Sequence, residues 1–254
     1  MKIVVVGGTG LLGRTVVRRL CAGGHDVLPA SRASGVDIIT GAGLAESMVG
    51  ADVVIDASNS PVLEGLASFD FFRIAIENLL EAEAKAGVKH HVAISVVGTD
   101  RLGDSPYFRG KAWQESAIRA SGIPFTIVHA TQFFEFLLQI VEVSVYDQAL
   151  RLSPAYIQPV ASADVAVAMA ELAVRPPRNA VIEMAGPERE RLSELIQRFL
   201  TEIEAPYDVV TDVLAPYFGA MLDDDSLLPG RGARVCTMGF GAWLNHSEYW
   251  GAGW

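Results

Sequence analysis

Lys2-Ile3-Val4-Val5-Val6 runs straight into Gly7-Gly8-Thr9-Gly10-Leu11-Leu12-Gly13-Arg14. A short β-branched run that ends in glycines reads as a buried strand of a parallel sheet. Behind it, Leu11 to Ala22 repeats apolar residues at helical spacing, with Leu12, Val16, Val17, Leu20 and Cys21 on the face to be buried. Gly23-Gly24 stops that helix. Gly7, Gly10 and Gly13 therefore stand as GxxGxxG at the first strand–helix junction. The spacing serves a tight turn, a close backbone approach to a pyrophosphate, and close helix–strand packing. The helix start adds N–H groups and a dipole that favour an anion. Gly7, Thr9, Gly10, Leu11, Leu12, Gly13 and Arg14 are accordingly the expected phosphate-binding stretch of a dinucleotide site.

Outward from this stretch, residues 26–30, 36–39, 52–57, 91–95 and 124–129 read as further strands, and 69–86 and 107–121 as helices. Strand and helix alternate, so right-handed crossovers give a parallel sheet covered on both faces. This is an α/β fold, a Rossmann-type doubly wound parallel sheet, with ligands at the carboxyl ends of its strands. The alternation loosens after residue 130. Helices are expected at 133–143, 164–174 and 192–203 and a strand at 180–184, as a small C-terminal α+β substrate lobe. The expected domains are 1–130, whose sheet later segments complete, and 131–254, the lobe and tail. Residues 247–254 form either a packed arm or a flexible tag.

Composition narrows the partners. Half of the 254 residues are hydrophobic and the net charge is −10, the wrong sign for a surface that tracks nucleic-acid phosphates. Cys21 and Cys236 form no CxxC or Cys/His cluster, so no metal is expected, and the usage fits a reducing cytoplasm. No signal peptide and no membrane-length apolar run is apparent. A small-molecule substrate is the expected partner, for a monomer or homodimer.

The second strand leads into Ser31-Arg32, where an NAD site usually offers an acid to the ribose hydroxyl. A hydroxyl beside a guanidinium, with Arg14 as a second cation, suits a 2′-phosphate instead. NADP(H) is therefore expected over NAD(H). Ala57 and Ser58, small residues closing the 52–57 strand, complete the cofactor set. Tyr107 and Lys111 form YxxxK, positions that share a helix face. The ammonium is expected to lower the tyrosine pKa and to bond the nicotinamide ribose, and the tyrosine to protonate a carbonyl oxygen. Ser95, ending its strand, would hold the substrate oxygen. Asn78 either relays protons or braces the sheet.

Taken together, these residues resemble the atypical short-chain dehydrogenase/reductase superfamily, in its NmrA-like NAD(P)-binding branch. The resemblance is carried by GGTGLLGR at 7–14, the stretch from Asn78 to Leu102, SPYFRGK at 105–111 and the stretch from Ser121 to Phe136. PVASADVA at 159–166, MAGPE at 184–188 and the segment 215–230 extend it. It implies a Rossmann domain, NAD(P)H binding and a small substrate lobe. Val96, Gln132, Phe133 and Phe134 then edge the nicotinamide and substrate beside Ser95, Tyr107 and His129. Many relatives carry Arg where this chain has His129, and NHSEYWGAGW at its end also departs from them. Asp164 reads as a helix-start acid or a brace for the lobe. The resemblance leaves the reaction open. Reduction of a carbonyl, quinone or conjugated system, cofactor sensing without turnover, and non-redox dehydration or cyclisation all occur to this scaffold.

Overall fold

The computed structural model describes residues 1–146 and 149–247. In chain order the elements begin β1 (Lys2–Val6), α1 (Leu11–Ala22), β2 (Asp26–Ala30), α2 (Leu44–Met48), β3 (Val53–Asp56), α3 (Leu66–Ala86) and β4 (His90–Val96). Next come α4 (Pro106–Ala120), β5 (Phe125–Ala130), α5 (Leu137–Val143), β6 (Val145–Tyr146), β7 (Ala149–Leu152), β8 (Tyr156–Ile157) and α6 (Ser162–Ala173). The remainder is β9 (Ala180–Ala185), β10 (Glu190–Arg191), α7 (Leu192–Glu202), β11 (Val209–Thr211), β12 (Arg234–Val235) and α8 (Phe240–Asn245).

A seven-stranded sheet runs in the order β12-β9-β5-β4-β3-β1-β2. β1 lies between β2 and β3, in register Val4 to Leu28 and to Val54, both parallel. β3–β4 and β9–β12 are parallel as well. The Rossmann-type sheet expected from the sequence is therefore present. β1 and β3 are apolar at nearly every position because helices cover both faces.

The chain divides into two compact units. The first comprises Met1–Ser95, Pro106–His129 and Val165–Ile182. On one side of its sheet, Val4, Val6, Val36, Leu44, Met48, Val54 and Leu79 form a buried cluster. Ile76, Ala93, Ile118 and Ile127 form a second. The second unit comprises Val96–Ser105, Ala130–Asp164 and Glu183–Trp254. It holds the two-stranded sheet β10-β8 and the three-stranded sheet β11-β7-β6. Trp243 of α8 stacks on Phe134 at 5.2 Å between ring centres and lies 6.2 Å from Phe199 of α7.

Three expectations are corrected. No strand forms at 36–39. Asp37 Oδ1 accepts the N–H of Ile39 at 2.8 Å and of Thr40 at 3.3 Å, while Asp37 N–H bonds the Ala42 carbonyl. Asn78 Nδ2 holds the carbonyls of Ile38 and Ile39 at 2.9 and 3.0 Å. The backbone groups that a strand would give to a neighbour are thus used inside a loop, and Asn78 braces that loop. Cys21 is exposed, not buried. The buried seam of α1 is Leu12, Val16 and Leu20, four apart, and residue 21 sits about 100° round the helix from it. The helix expected from 133 begins four residues later. Gln132 and Phe134 are first tied to Val160 through main-chain bonds, and a 3₁₀ turn at Phe134–Phe136 leads into α5. The other expected elements appear within a few residues of their predicted ends, whereas α2, α8 and the short strands β6, β7, β8, β10, β11 and β12 were not announced by the spacing. The expectation for the tail falls, beyond Ser247, outside the described residues.

Candidate cofactor and active site

The loop at 7–13 fits a dinucleotide by its construction. Gly7 has φ +71°, and a Cβ there would meet the Ala57 carbonyl oxygen at 2.8 Å. A Cβ on Gly13 would stand 2.2 Å from the Gly7 carbonyl oxygen. The loop therefore closes against itself and against the turn after β3. Gly10 caps α1 without a side-chain hydrogen bond, which leaves the helix start to an outside acceptor. Ala57 N–H bonds the Val6 carbonyl and Gly7 N–H the Ala30 carbonyl, so the ends of β1, β2 and β3 converge on the loop.

Ser31 and Arg32 follow β2 directly. Ser31 is extended, with φ −158°, and Arg32 opens a short 3₁₀ turn whose last residue, Ser34, accepts the Ser31 N–H through its hydroxyl at 2.9 Å. Ser31 Oγ is buried with no hydrogen-bond partner among the described residues. Arg14 and Arg32 are both exposed. The next acid along the chain, Asp37, is engaged with its own loop.

Tyr107 and Lys111 stand one turn apart on α4, which approaches α3 closely at Gly110, where a Cβ would meet Phe72 Cδ2 at 2.7 Å. Tyr107 packs edge-on against Phe72 and Phe108, and its hydroxyl donates to Asn59 Oδ1 at 3.1 Å. Burial pushes the phenol above its usual range, where the lysine was expected to lower it. Lys111 is buried and turns its ammonium to the Ile94 carbonyl and to Gln114 Oε1, each at 3.1 Å. Burial brings Lys111 down to about 8, against the pull of Asp56 and Glu115.

Ser95 and His129 meet at one carboxylate. Glu115 Oε1 accepts the Ser95 hydroxyl at 2.6 Å and His129 Nε2 at 2.7 Å, and Oε2 accepts Arg119 at 2.9 Å. Burial acts to raise Glu115, but His129, Ser95 and Arg119 together outweigh it and hold the carboxyl below its ordinary range. The Ser95 hydroxyl donates its one proton to Glu115.

Val96, Gln132, Phe133 and Phe134 belong to the second unit. The Val96 carbonyl accepts the Thr99 hydroxyl at 2.6 Å. Phe134 is a core residue, stacked on Trp243, and Phe133 lies 5.6 Å from Phe136. Gln132 is buried, and neither atom of its amide finds a partner among the described residues. Asp164, in the first turn of α6, accepts the Met238 N–H and so braces this unit.

Sequence reasoning passed over Asp56, Gln114, Glu115 and the pair Glu83–His91. Asp56 had one signal: an acid at the carboxyl end of an apolar parallel strand. Gln114 and Glu115 had another, since they follow Lys111 by three and four residues. His91 Nδ1 bonds Glu83 at 2.8 Å, both fully buried. Burial raises Glu83; burial also acts to lower His91, but the charge and hydrogen bond of Glu83, with Asp56, together outweigh it and raise the imidazole. The adjacent His90 moves oppositely, brought down by burial to about 4.

A family profile described as NAD(P)H-binding matches residues 7–176. The Photosystem II assembly factor Ycf39 of Synechocystis sp. is 28% identical over 152 residues, 54% of this chain and 47% of that protein. The (4-alkanoyl-5-oxo-2,5-dihydrofuran-3-yl)methyl phosphate reductase of Streptomyces griseus is 31% identical over 144 residues, 52% of this chain and 48% of that protein. The chain thus spans about half the length of the curated relatives it matches. The dTDP-glucose 4,6-dehydratase DesIV from Streptomyces venezuelae, with NAD and TYD bound, superposes with a TM-score of 0.72 at 18% identity, covering 99% of both chains. The NADPH-dependent quinone oxidoreductase QOR2 from Escherichia coli gives 0.62 at 22% identity, over 84% of this chain and 78% of that one. Both structures speak to the fold. No helix among the described residues is long and apolar enough to cross a membrane.

Proposed function

The chain belongs to the NAD(P)H-binding family, and on that premise we propose that it is an NADPH-dependent reductase. Its substrate is a small apolar or aromatic molecule with a carbonyl, quinone or conjugated double bond. The observation that carries this reading is the placement of Tyr107 one helical turn from the buried Lys111 on α4. A neutral phenol is the form that gives a proton to a substrate oxygen. The reduced nicotinamide, when bound, supplies the hydride. Lys111, an ammonium below about pH 8, donates to a ribose hydroxyl. The loop at 7–13 holds the pyrophosphate at the start of α1, and Ser31, Arg32 and Arg14 receive the 2′-phosphate. Ser95 turns its proton from Glu115 to the substrate oxygen, while His129 and Arg119 keep hold of that carboxylate.

NADPH oxidation followed against ketones, enones, quinones and aromatic dyes tests the proposal. Tyr107→Phe should lower turnover by about 100-fold or more while cofactor affinity is kept. Full turnover in that variant removes Tyr107 from the role.

A second reading, cofactor binding without turnover, is favoured by the way the reactive groups are tied to the protein itself: Tyr107 to Asn59, and Lys111 to Ile94 and Gln114. It predicts tight NADPH binding, no turnover on the panel, and a protein partner whose capture differs between NADP+ and NADPH.

A further inference from the structure

Asp56, Gln114 and Lys111 of the first unit are 1%, 1% and 3% exposed, and they form a continuous hydrogen-bonded chain. Gln114 Nε2 donates to Asp56 Oδ2 at 2.7 Å, and Lys111 Nζ donates to Gln114 Oε1 at 3.1 Å. Chemistry fixes the direction of the amide. An ammonium only donates and a carboxylate only accepts, so the oxygen must face Lys111 and the nitrogen Asp56. Each bond polarises the next, which strengthens both in a dry interior. The remaining contacts of the lysine are the Ile94 carbonyl at 3.1 Å and the face of the Phe72 ring, 4.4 Å from its centre. Asp56 Oδ1, at the other end, accepts the N–H and the hydroxyl of Ser58 at 3.0 and 2.6 Å. Between Asp56 and Ser58 lies Ala57, whose carbonyl packs against Gly7. One turn thus closes the glycine loop and carries the carboxylate.

We infer that Gln114 is a positioning residue, the link through which the Asp56 carboxylate holds and aims the Lys111 ammonium. The inference rests on the reading of Lys111 as a cofactor ligand. It adds that the lysine is set by a strand-end acid acting through an amide one turn along its own helix. The charged and titratable groups around it are Asp56 from β3, Glu115 and Tyr107 from α4, and the Glu83–His91 pair of α3 and β4, which interacts with Asp56. Asp56 and Glu115 favour the charged lysine, and burial opposes them.

The chain contains four lysines, Lys2, Lys85, Lys89 and Lys111, which makes the test direct. Full-length protein labelled with ¹³Cε-lysine gives four resonances, and Lys111→Met identifies the one that matters. In the wild type that signal should titrate at about 8. Gln114→Met, close in volume, and Asp56→Asn should each move its midpoint down by about one pH unit, with the other three unmoved. The same variants should weaken NADPH binding, read by fluorescence titration, by about tenfold. A midpoint that stays in place in folded Gln114→Met overturns the inference, and a moved midpoint with unchanged NADPH affinity overturns its link to the cofactor. Should Gln114→Met fail to fold, Gln114→Ala decides by the same criteria. None of these readouts uses turnover, so a chain without reductase activity leaves the inference standing or falling on its own.

Discussion

The glycine loop at 7–13 is held by main-chain atoms, whereas the helix carrying Tyr107 and Lys111 is held by side chains. In the loop, the space beside Gly7 and Gly13 is filled by carbonyl oxygens, which cannot swing aside. On α4, the polar ends of Tyr107, Lys111, Gln114 and Glu115 are each placed by a partner that a single substitution can remove. The first region has one arrangement and tolerates no added atom. The second has an arrangement that depends on protonation and on its neighbours. On the proposed reading, a rigid phosphate cradle thus stands beside a helix whose polar groups can be retuned one at a time.

The contrast is broken most forcefully at Gly13. Gly13→Ala puts a methyl 2.2 Å from the Gly7 carbonyl oxygen, so urea unfolding should show a loss of about 3 kcal/mol and NADPH titration no measurable binding. Near-normal binding would mean the loop yields as readily as a side chain does. On the helix, Glu115→Gln leaves Ser95, His129 and Arg119 sharing a neutral partner, with an expected cost of about 2 kcal/mol in the same unfolding measurement and little change in NADPH affinity. A collapse of NADPH binding there would erase the distinction between the regions. Arg32→Ala should lower the preference for NADPH over NADH by about tenfold or somewhat more, measured as a ratio of dissociation constants, while NADH binding is unchanged. The smallest effect is the pH dependence. Lys111 is an ammonium below about 8, so NADPH affinity should weaken several-fold as pH rises through that value and be flat below it. Lys111→Met should remove the dependence.

What was legible in the sequence follows the same division. GxxGxxG reads correctly because a glycine required by a neighbouring carbonyl leaves a mark that no other residue can leave. The strand at 36–39 was misread because Val36, Ile38 and Ile39 look like a strand, and the Asp37 side chain that caps Ile39 and Thr40 competes with pairing only once the chain is folded. The pair Tyr107 and Lys111 is visible as spacing, but the direction of the lysine is not. It is decided by Gln114, Asp56 and the Ile94 carbonyl, contributed by three separate elements. Glu115 escaped notice for the same reason: on a helix, an acid four residues after a lysine reads as an ordinary surface pair, and only the ends of β4 and β5 bury it against Ser95 and His129.

The loop that replaces the expected strand has a consequence for how copies of this chain meet. With residues 36–43 folded back and pinned by Asn78, β2 is left as the last strand of the sheet among the described residues, with β1 as its neighbour there. Exposed edges recruit other edges, and unchecked recruitment ends in aggregation. β2 carries Pro29 opposite Val5, a residue with no N–H, with its ring seated where a Cβ on Gly8 would collide. A second copy laid along this edge would meet a gap in the ladder at its centre. The residue that packs beneath the glycine loop thereby also closes the sheet to growth from that side.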